Sequence, residues 1–411
     1  MNKSCKQLTL TLSIFIHQAE NALHHYGFHD GMPYWDWTLP MTQLPSVLDE
    51  ENYVHPQSGQ TLPNPLHHAV VDGHKTSRSL RTSELFQSTG FGEMTDLAEK
   101  VMLAFEQTDF CDFEIQFEIA HNYIHALVGG NELYSMASLR FTAYDPIFYL
   151  VHSATDRIWA TWQALQKYRG LPYNSANCAI ASLRKPLQPF AQTSVVNPDS
   201  VTRDHSIPFD VFDYHNSFHY HYDNFQFNGL SIPQIQRELV RHQGEDRVFA
   251  GFMLHGIGST ALIVLDICQP SGGCTKAGEF YLLGDEYEIP WSYDRLFKYE
   301  ITKQVKELHL HPEDNYDVHY EVFDLAGKSL GNDIFGNSTI IFSHGEMMPS
   351  LRLFACCTSL FSSFSRLFVQ DEGPFVFLQS FGFHFYEYFF STLIRLLFIR
   401  LVSLPLSPAF S

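Results

Sequence analysis

Positive charge is scarce in this chain of 411 residues: 26 Lys and Arg stand against 45 Asp and Glu, a formal net charge of −19. Such a field repels phosphate backbones and anionic lipid surfaces, so nucleic acid is not expected as a partner. Long apolar runs are missing as well. The tail from 346 to 411 holds 13 of the 36 phenylalanines, but Glu387, Arg395 and Arg400 break it before it offers the uninterrupted span a bilayer requires. No membrane segment and no domain are assigned to it. Lys3 and Lys6 precede an apolar run at 8 to 16, the outline of a signal peptide. No small-residue cleavage site follows, and the run passes into "AENALHHYG", which reads as a helix ending at Gly27. Cysteine is sparse and odd in number, seven in all, so at least one stays unpaired if the others bridge within the chain. Cys268 and Cys274 flank "QPSGG", a loop suited to a short bridge, and Cys111 and Cys178 bracket the histidine-bearing region. Spacing alone leaves buried free thiols as an equal alternative.

Histidine is what the chain has in quantity, 22 residues. Apolar positions recur at helical spacing from about 95 to 128 and stop at Gly129 and Gly130, the residue type that ends helices. A second helix is announced by "YDPIFYLVHSATDRIWATWQALQKYRG", with Asp145 as cap, Pro146 in the first turn and Gly170 at the end. From 246 onward short apolar or alternating runs separated by Gly and Pro predict an antiparallel sandwich. The expected class is α+β: a helical domain over 1–205, an aromatic connecting segment over 206–245 and a β-sandwich over 246–345. His215, His219 and His221 in the connector suggest a second metal site, but side chains filling a domain junction explain them more simply, since nothing fixes them on one face.

"FEIAHNYIHALVGG", residues 117 to 130, places His121 and His125 four positions apart, on one helical face, where both imidazoles can reach one ion. The zinc-peptidase pattern H-E-x-x-H needs a glutamate after its first histidine, and here Asn122 stands there. The general base of that chemistry is absent. His152, in the second helix, can be brought opposite the pair by a helical hairpin. Three neutral imidazoles without thiolate or carboxylate suit copper or zinc.

These residues resemble a family. "HNYIHALVGG" followed by "YDPIFYLVHSATDRIWATWQALQ" is similar to the second copper half-site of type 3 copper proteins, the tyrosinases, catechol oxidases and molluscan hemocyanins. The likeness to molluscan hemocyanin functional units extends over about 15–345 through "PYWDWTLP" at 33–40, "AFEQTDFCDFEIQFEIAHN" at 104–122, "GLSIPQIQRE" at 229–238, "RVFAGFMLHGIG" at 247–258 and "FKYEITKQVKELHLH" at 297–311. It implies copper at the site called CuB with His121, His125 and His152 as ligands, Phe148 beside their rings, and Asp156 and Arg157 as a structural pair in the ligand helix. It implies a sandwich covering the site, with Leu283 projecting toward the copper, and disulfides joining Cys111 to Cys178 and Cys268 to Cys274. Dioxygen as ligand, secretion into haemolymph and assembly with further units into large homo-oligomers follow from the same likeness. Asn337, in Asn-Ser-Thr, is a glycosylation acceptor.

The chain departs from that pattern in the partner half-site, CuA. Counting back from Glu20 to the family's third CuA ligand reaches Leu12, and the first two have no counterpart. His17 stands where the family uses no ligand, and His24, His25 and His29, in or beyond the helix end, read as surface residues. Val151 stands where the family places a histidine outside the copper shell. The family draws one electron from each of two Cu(I) ions to hold dioxygen, so the expectation is one copper and poor oxygen carriage. A phenoloxidase oxidising phenols to quinones, and a single-copper or structural unit of a larger assembly, are the competing readings.

Overall fold

The computed structural model describes residues 8–28, 30–41, 44–80, 94–173, 208–241, 246–254, 260–269, 272–284, 295–311, 314, 316–331 and 335–344. The tail, His29 and Cys178 lie outside the described residues.

The amino-terminal half is built around one helix. Helix α5 (Ile147–Tyr168) buries Val151, Trp159, Trp162 and most of its other side chains, polar ones included. Asp145 accepts a hydrogen bond from the Ile147 amide at 3.1 Å, Pro146 precedes the first turn, and Gly170 leaves the helix at φ +69°. Three segments lie against it. Helix α1 (Leu8–His25) sends Phe15 between Phe148 and Tyr149 of α5, with ring centroids 5.6 and 5.7 Å away. The "PYWDW" segment hangs on its backbone: the Trp35 amide donates to the Leu150 carbonyl at 3.1 Å and Trp37 Nε1 to the Val151 carbonyl at 3.3 Å. The third is a pair of helices in place of the one expected from 95 to 128, α3 (Asp96–Phe105) and α4 (Phe110–Gly129). Asp109 starts the second by accepting from the Cys111 amide at 3.0 Å. The carbonyls freed at the break are taken up by α5, through Trp162 Nε1 to Gln107 and Gln166 Nε2 to Thr108, both at 2.9 Å. The interruption is thus a tertiary feature that local periodicity does not carry.

Before these come the short helix α2 (Ser46–Asp49) and the small hairpins β1 (Asn52–Val54) with β2 (Thr61–Pro63) and β3 (Val70–Val71) with β4 (His74–Lys75). Arg78 ties this region to α5, forking onto the buried Asp145 carboxylate at 2.6 Å and donating to the Leu48 and Leu66 carbonyls. The connector holds three helices, α6 (Pro208–Phe212), α7 (Tyr214–Ser217) and α8 (Ile232–Arg241), with a non-helical stretch over 218–231.

The carboxy-terminal half is an antiparallel sandwich. Strands β5 (Asp246–Leu254), β8 (Arg295–Glu300) and β10 (Phe335–His344) form a sheet in the order β10-β5-β8, and β6 (Ala261–Cys268), β7 (Cys274–Leu282) and β9 (Asp317–Asp324) a sheet in the order β7-β6-β9. Ala261, Ile263, Leu265 and Ile267 of β6 face inward and alternate with more exposed positions, the period that one buried sheet face imposes. Between β8 and β9 the "TKQVKE" stretch forms a short helix, α9 (Thr302–Glu307). Cys268 and Cys274 form a disulfide across the β6–β7 hairpin. Cys111 is also disulfide-bonded. The sandwich joins the helices through α4: Ile119 belongs to the sandwich core with Val248, Ile263 and Phe280, and Tyr281 of β7 to the helical core. No helix among the described residues is long and apolar enough to cross a membrane.

Candidate metal centre

Helices α4 and α5 bring the three histidines together. His121, His125 and His152 are 3, 1 and 1 % exposed. Their Nε2 atoms form a triangle with sides of 3.0 Å (His121 to His152), 3.2 Å (His121 to His125) and 3.2 Å (His125 to His152). Among the described residues this is the one group of three or more His, Cys, Asp or Glu side chains able to hold a metal ion.

The other ring nitrogen of each histidine decides what the triangle is made of. His125 Nδ1 lies 2.8 Å from the Met136 carbonyl and His152 Nδ1 2.7 Å from the Phe148 carbonyl. A carbonyl only accepts, so each Nδ1 carries the proton and each Nε2 keeps a bare lone pair. For His121 the partner is the Asn122 side-chain oxygen at 3.2 Å, and the amide is oriented because its nitrogen donates to the Tyr281 carbonyl at 3.2 Å. The Thr142 hydroxyl, 3.1 Å from His125 Nδ1, reinforces the same tautomer. Burial first, then the neighbouring imidazoles, holds His125 and His152 well below the usual histidine range, so both rings are neutral. Three lone pairs in a water-poor interior repel one another unless a cation stands between them. With nitrogen-to-metal bonds of about 2.0 Å, a tetrahedral ion spaces its imidazole nitrogens by roughly 3.3 Å, close to the triangle seen. The residues fit a first-row metal, and the all-imidazole set suits copper or zinc.

Local sequence explains the placement. At Gly129 an added Cβ would meet the Ala137 backbone nitrogen at 2.1 Å, and Gly130 turns at φ +58°. The two glycines let the chain double back under α4, which delivers the Met136 carbonyl to His125. Phe148 lies against His152, with centroids 3.8 Å apart, and its own carbonyl orients that ring.

The remaining expected residues are distributed as follows. Asp156 and Arg157 do not pair with each other. Asp156 accepts from the hydroxyls of Ser13, Tyr220 at 2.9 Å and Tyr222 at 2.5 Å, and burial raises its carboxyl above the usual range. Arg157 donates to the Asn224 side-chain oxygen at 2.8 Å and to the Gln226 carbonyl, and lies 3.6 Å from Asp36. Together they fasten the connector to α5. Leu283 follows β7 directly and is half-buried. Asn337 lies in β10. His215, His219 and His221 are exposed and do not fill the junction; in "FHYHYD" it is Tyr220 and Tyr222 that turn inward to Asp156. His17 accepts from Asn21 Nδ2 at 2.9 Å beside Phe218 and Tyr220, His24 is half-buried, and His25 is exposed. Leu12 is buried on α1 and Val151 is fully buried in α5. Sequence reasoning missed the partners on the far side of each ring. Two are backbone carbonyls, of Met136 and Phe148, which no residue type marks, and one is the Thr142 hydroxyl; Asn122, the partner of His121, is the one that the sequence motif marks as a site residue.

Residues 14–165 match the family described as the common central domain of tyrosinase, and residues 242–344 the haemocyanin beta-sandwich. The chain is 54 % identical to the Hemocyanin 2-c chain of Megathura crenulata over 332 residues, 79 % of each protein. It is 60 % identical to Hemocyanin 2 of the same organism over 329 residues, 79 % of this chain but 10 % of that protein, so it spans about a tenth of that relative's length. The solved functional unit from octopus hemocyanin superposes with a TM-score of 0.73 at 44 % identity, covering 83 % of this chain and 86 % of that one. With the fold, the histidine triad and these relatives in agreement, the chain belongs to the molluscan hemocyanin functional units, within the type 3 copper family that includes tyrosinase.

Proposed function

We propose that His121, His125 and His152 bind one copper ion as the CuB site, and that the chain serves reversible dioxygen binding as one unit of a larger, extracellular carrier. The convergence of three bare Nε2 lone pairs in a buried setting carries this reading. Held there as Cu(I), copper supplies one electron toward dioxygen. The chain's own work is to fix the ring tautomers through the Met136 and Phe148 carbonyls and Asn122, and to exclude water with Phe148 over His152. Leu283 restricts entry from the sandwich side. Asp156 and Arg157 hold α5, and hence His152, in register.

The proposal includes a stoichiometry of one copper per 411-residue chain. It rests on Leu12, apolar and buried where the resemblance places the family's third CuA ligand. Oxygen affinity of this chain is then weak. It also includes a helical copper domain over 1–205, a connector over 206–245, a sandwich over 246–345, a Cys111–Cys178 disulfide and a glycan on Asn337. Metal analysis of the purified full chain tests the core of it. The expected result is one copper per chain, retained through dialysis, with at most a faint oxygen-dependent near-ultraviolet band. A copper-free protein refutes the ligand assignment; two coppers with a strong reversible band refute the stoichiometry and leave the ligands standing.

A further inference from the structure

Away from the histidines, a cavity of about 340 Å³ lies where α3 and α4 meet β5, β8 and α9. Its buried charges are already matched. Arg247 bonds both oxygens of Glu106 at 2.8 Å and both of Glu300 at 3.1 and 2.8 Å, and Lys100 reaches Asp96 at 2.8 Å. One polar group is left over: Gln116, 3 % exposed, lines the cavity, and its Nε2 has no hydrogen-bond partner among the described residues. Buried donors in native proteins find an acceptor, so this one asks for an oxygen within the cavity.

The surroundings restrict what kind of oxygen. Four carboxylates and three cations line the space, and the buried cations Lys100 and Arg247 are both committed, so an anion would enter a field of unbalanced negative charge. A hydroxyl meets each demand. It accepts from the Gln116 amide and donates to the Glu300 carboxylate at the cavity wall, while Ile119 and Leu239 offer apolar surface to C–H groups. The volume is that of roughly ten waters, enough for one compact molecule of about a dozen heavy atoms. We infer that this cavity is a binding site for a small neutral polyol of about monosaccharide size. Gln116 lies on α4 with His121 and His125, so the ligand touches the helix that carries two of the three metal-binding side chains. The site uses no metal, and its test stands apart from the copper assignment.

The copper-loaded full chain is titrated with D-glucose by saturation-transfer NMR and calorimetry, with L-lactate as the anionic control. Saturable glucose binding is expected, weakened about tenfold in Gln116→Leu at unchanged copper content. Gln116→Met, closer in shape, gives the same loss if the lost donor and not altered packing is responsible. Equal affinity in both variants and the parent chain, preference for lactate, or no saturable binding of glucose, meaning that the cavity holds water alone, would each overturn the proposal.

Discussion

The histidine triad and the Arg247 cluster are both buried polar centres at helix junctions, and the chain finishes them in opposite ways. Around Arg247, one guanidinium meets two carboxylates, and donors find acceptors inside the protein. At the triad, three acceptors face one another at 3.0 to 3.2 Å with no donor among them. The first arrangement is complete as folded and serves to join the sandwich to α3. The second becomes favourable only with a cation, so its stabilisation is deferred to a ligand. Matched and unmatched buried polarity therefore separate a clamp from a site, although both are polar groups set into helix junctions.

The sharpest way to break this contrast is at the triad. His125→Ala is expected to lose copper entirely while circular dichroism shows the helices intact; a variant that keeps its copper would sink the assignment. Arg247→Met attacks the clamp instead and takes from buried Glu106 the guanidinium that bonds both its oxygens. Denaturant unfolding should report a loss of about 3–5 kcal/mol, with copper content per folded chain unchanged. If copper falls and stability holds, the two centres have been assigned the wrong way round. Asn122→Ala frees the His121 ring without removing a ligand, and copper affinity measured by chelator competition should drop about tenfold to a hundredfold. The smallest effect concerns Lys298, buried with incomplete compensation. Burial pulls its ammonium down to about 8 from 10.5, and Asp112 restores only part. Between about pH 8 and 10.5 the unfolded chain binds the proton that the folded chain has released, so stability rises with pH through that window. Lys298→Met should lack this rise, a difference of roughly 1–2 kcal/mol between pH 8 and 10; identical pH profiles would place Lys298 with the matched charges.

Much of the metal centre was legible because it obeys helical spacing: His121 and His125 share a face, Asn122 argues against the zinc-peptidase pattern, and the motif around His152 identifies the facing helix. The glycine stop was legible too, though its reason, backbone against backbone at Ala137, belongs to three dimensions. What could not be read depends on groups that every residue possesses. The break between α3 and α4 is held open by Trp162 and Gln166 from more than fifty positions away. In "FHYHYD" both residue types alternate, and only the position of Asp156 decides that the tyrosines turn in and the histidines out. The second copper's ligands are a different case. The position of Leu12 is compared with a histidine only through the family resemblance, and its burial on α1 bears on helix packing alone.

The reversal at Gly129 and Gly130 makes chain length itself a determinant of metal affinity. Met136 lies eleven positions beyond His125, and the carbonyl it contributes sets which ring nitrogen of that histidine carries the hydrogen. Adding or deleting one residue between them would alter no ligand, yet it would carry that oxygen away and free the ring to protonate on the face meant for the ion. A scan of single substitutions would meet this weakness at the two glycines, whereas a scan of insertions and deletions would find it along the whole segment.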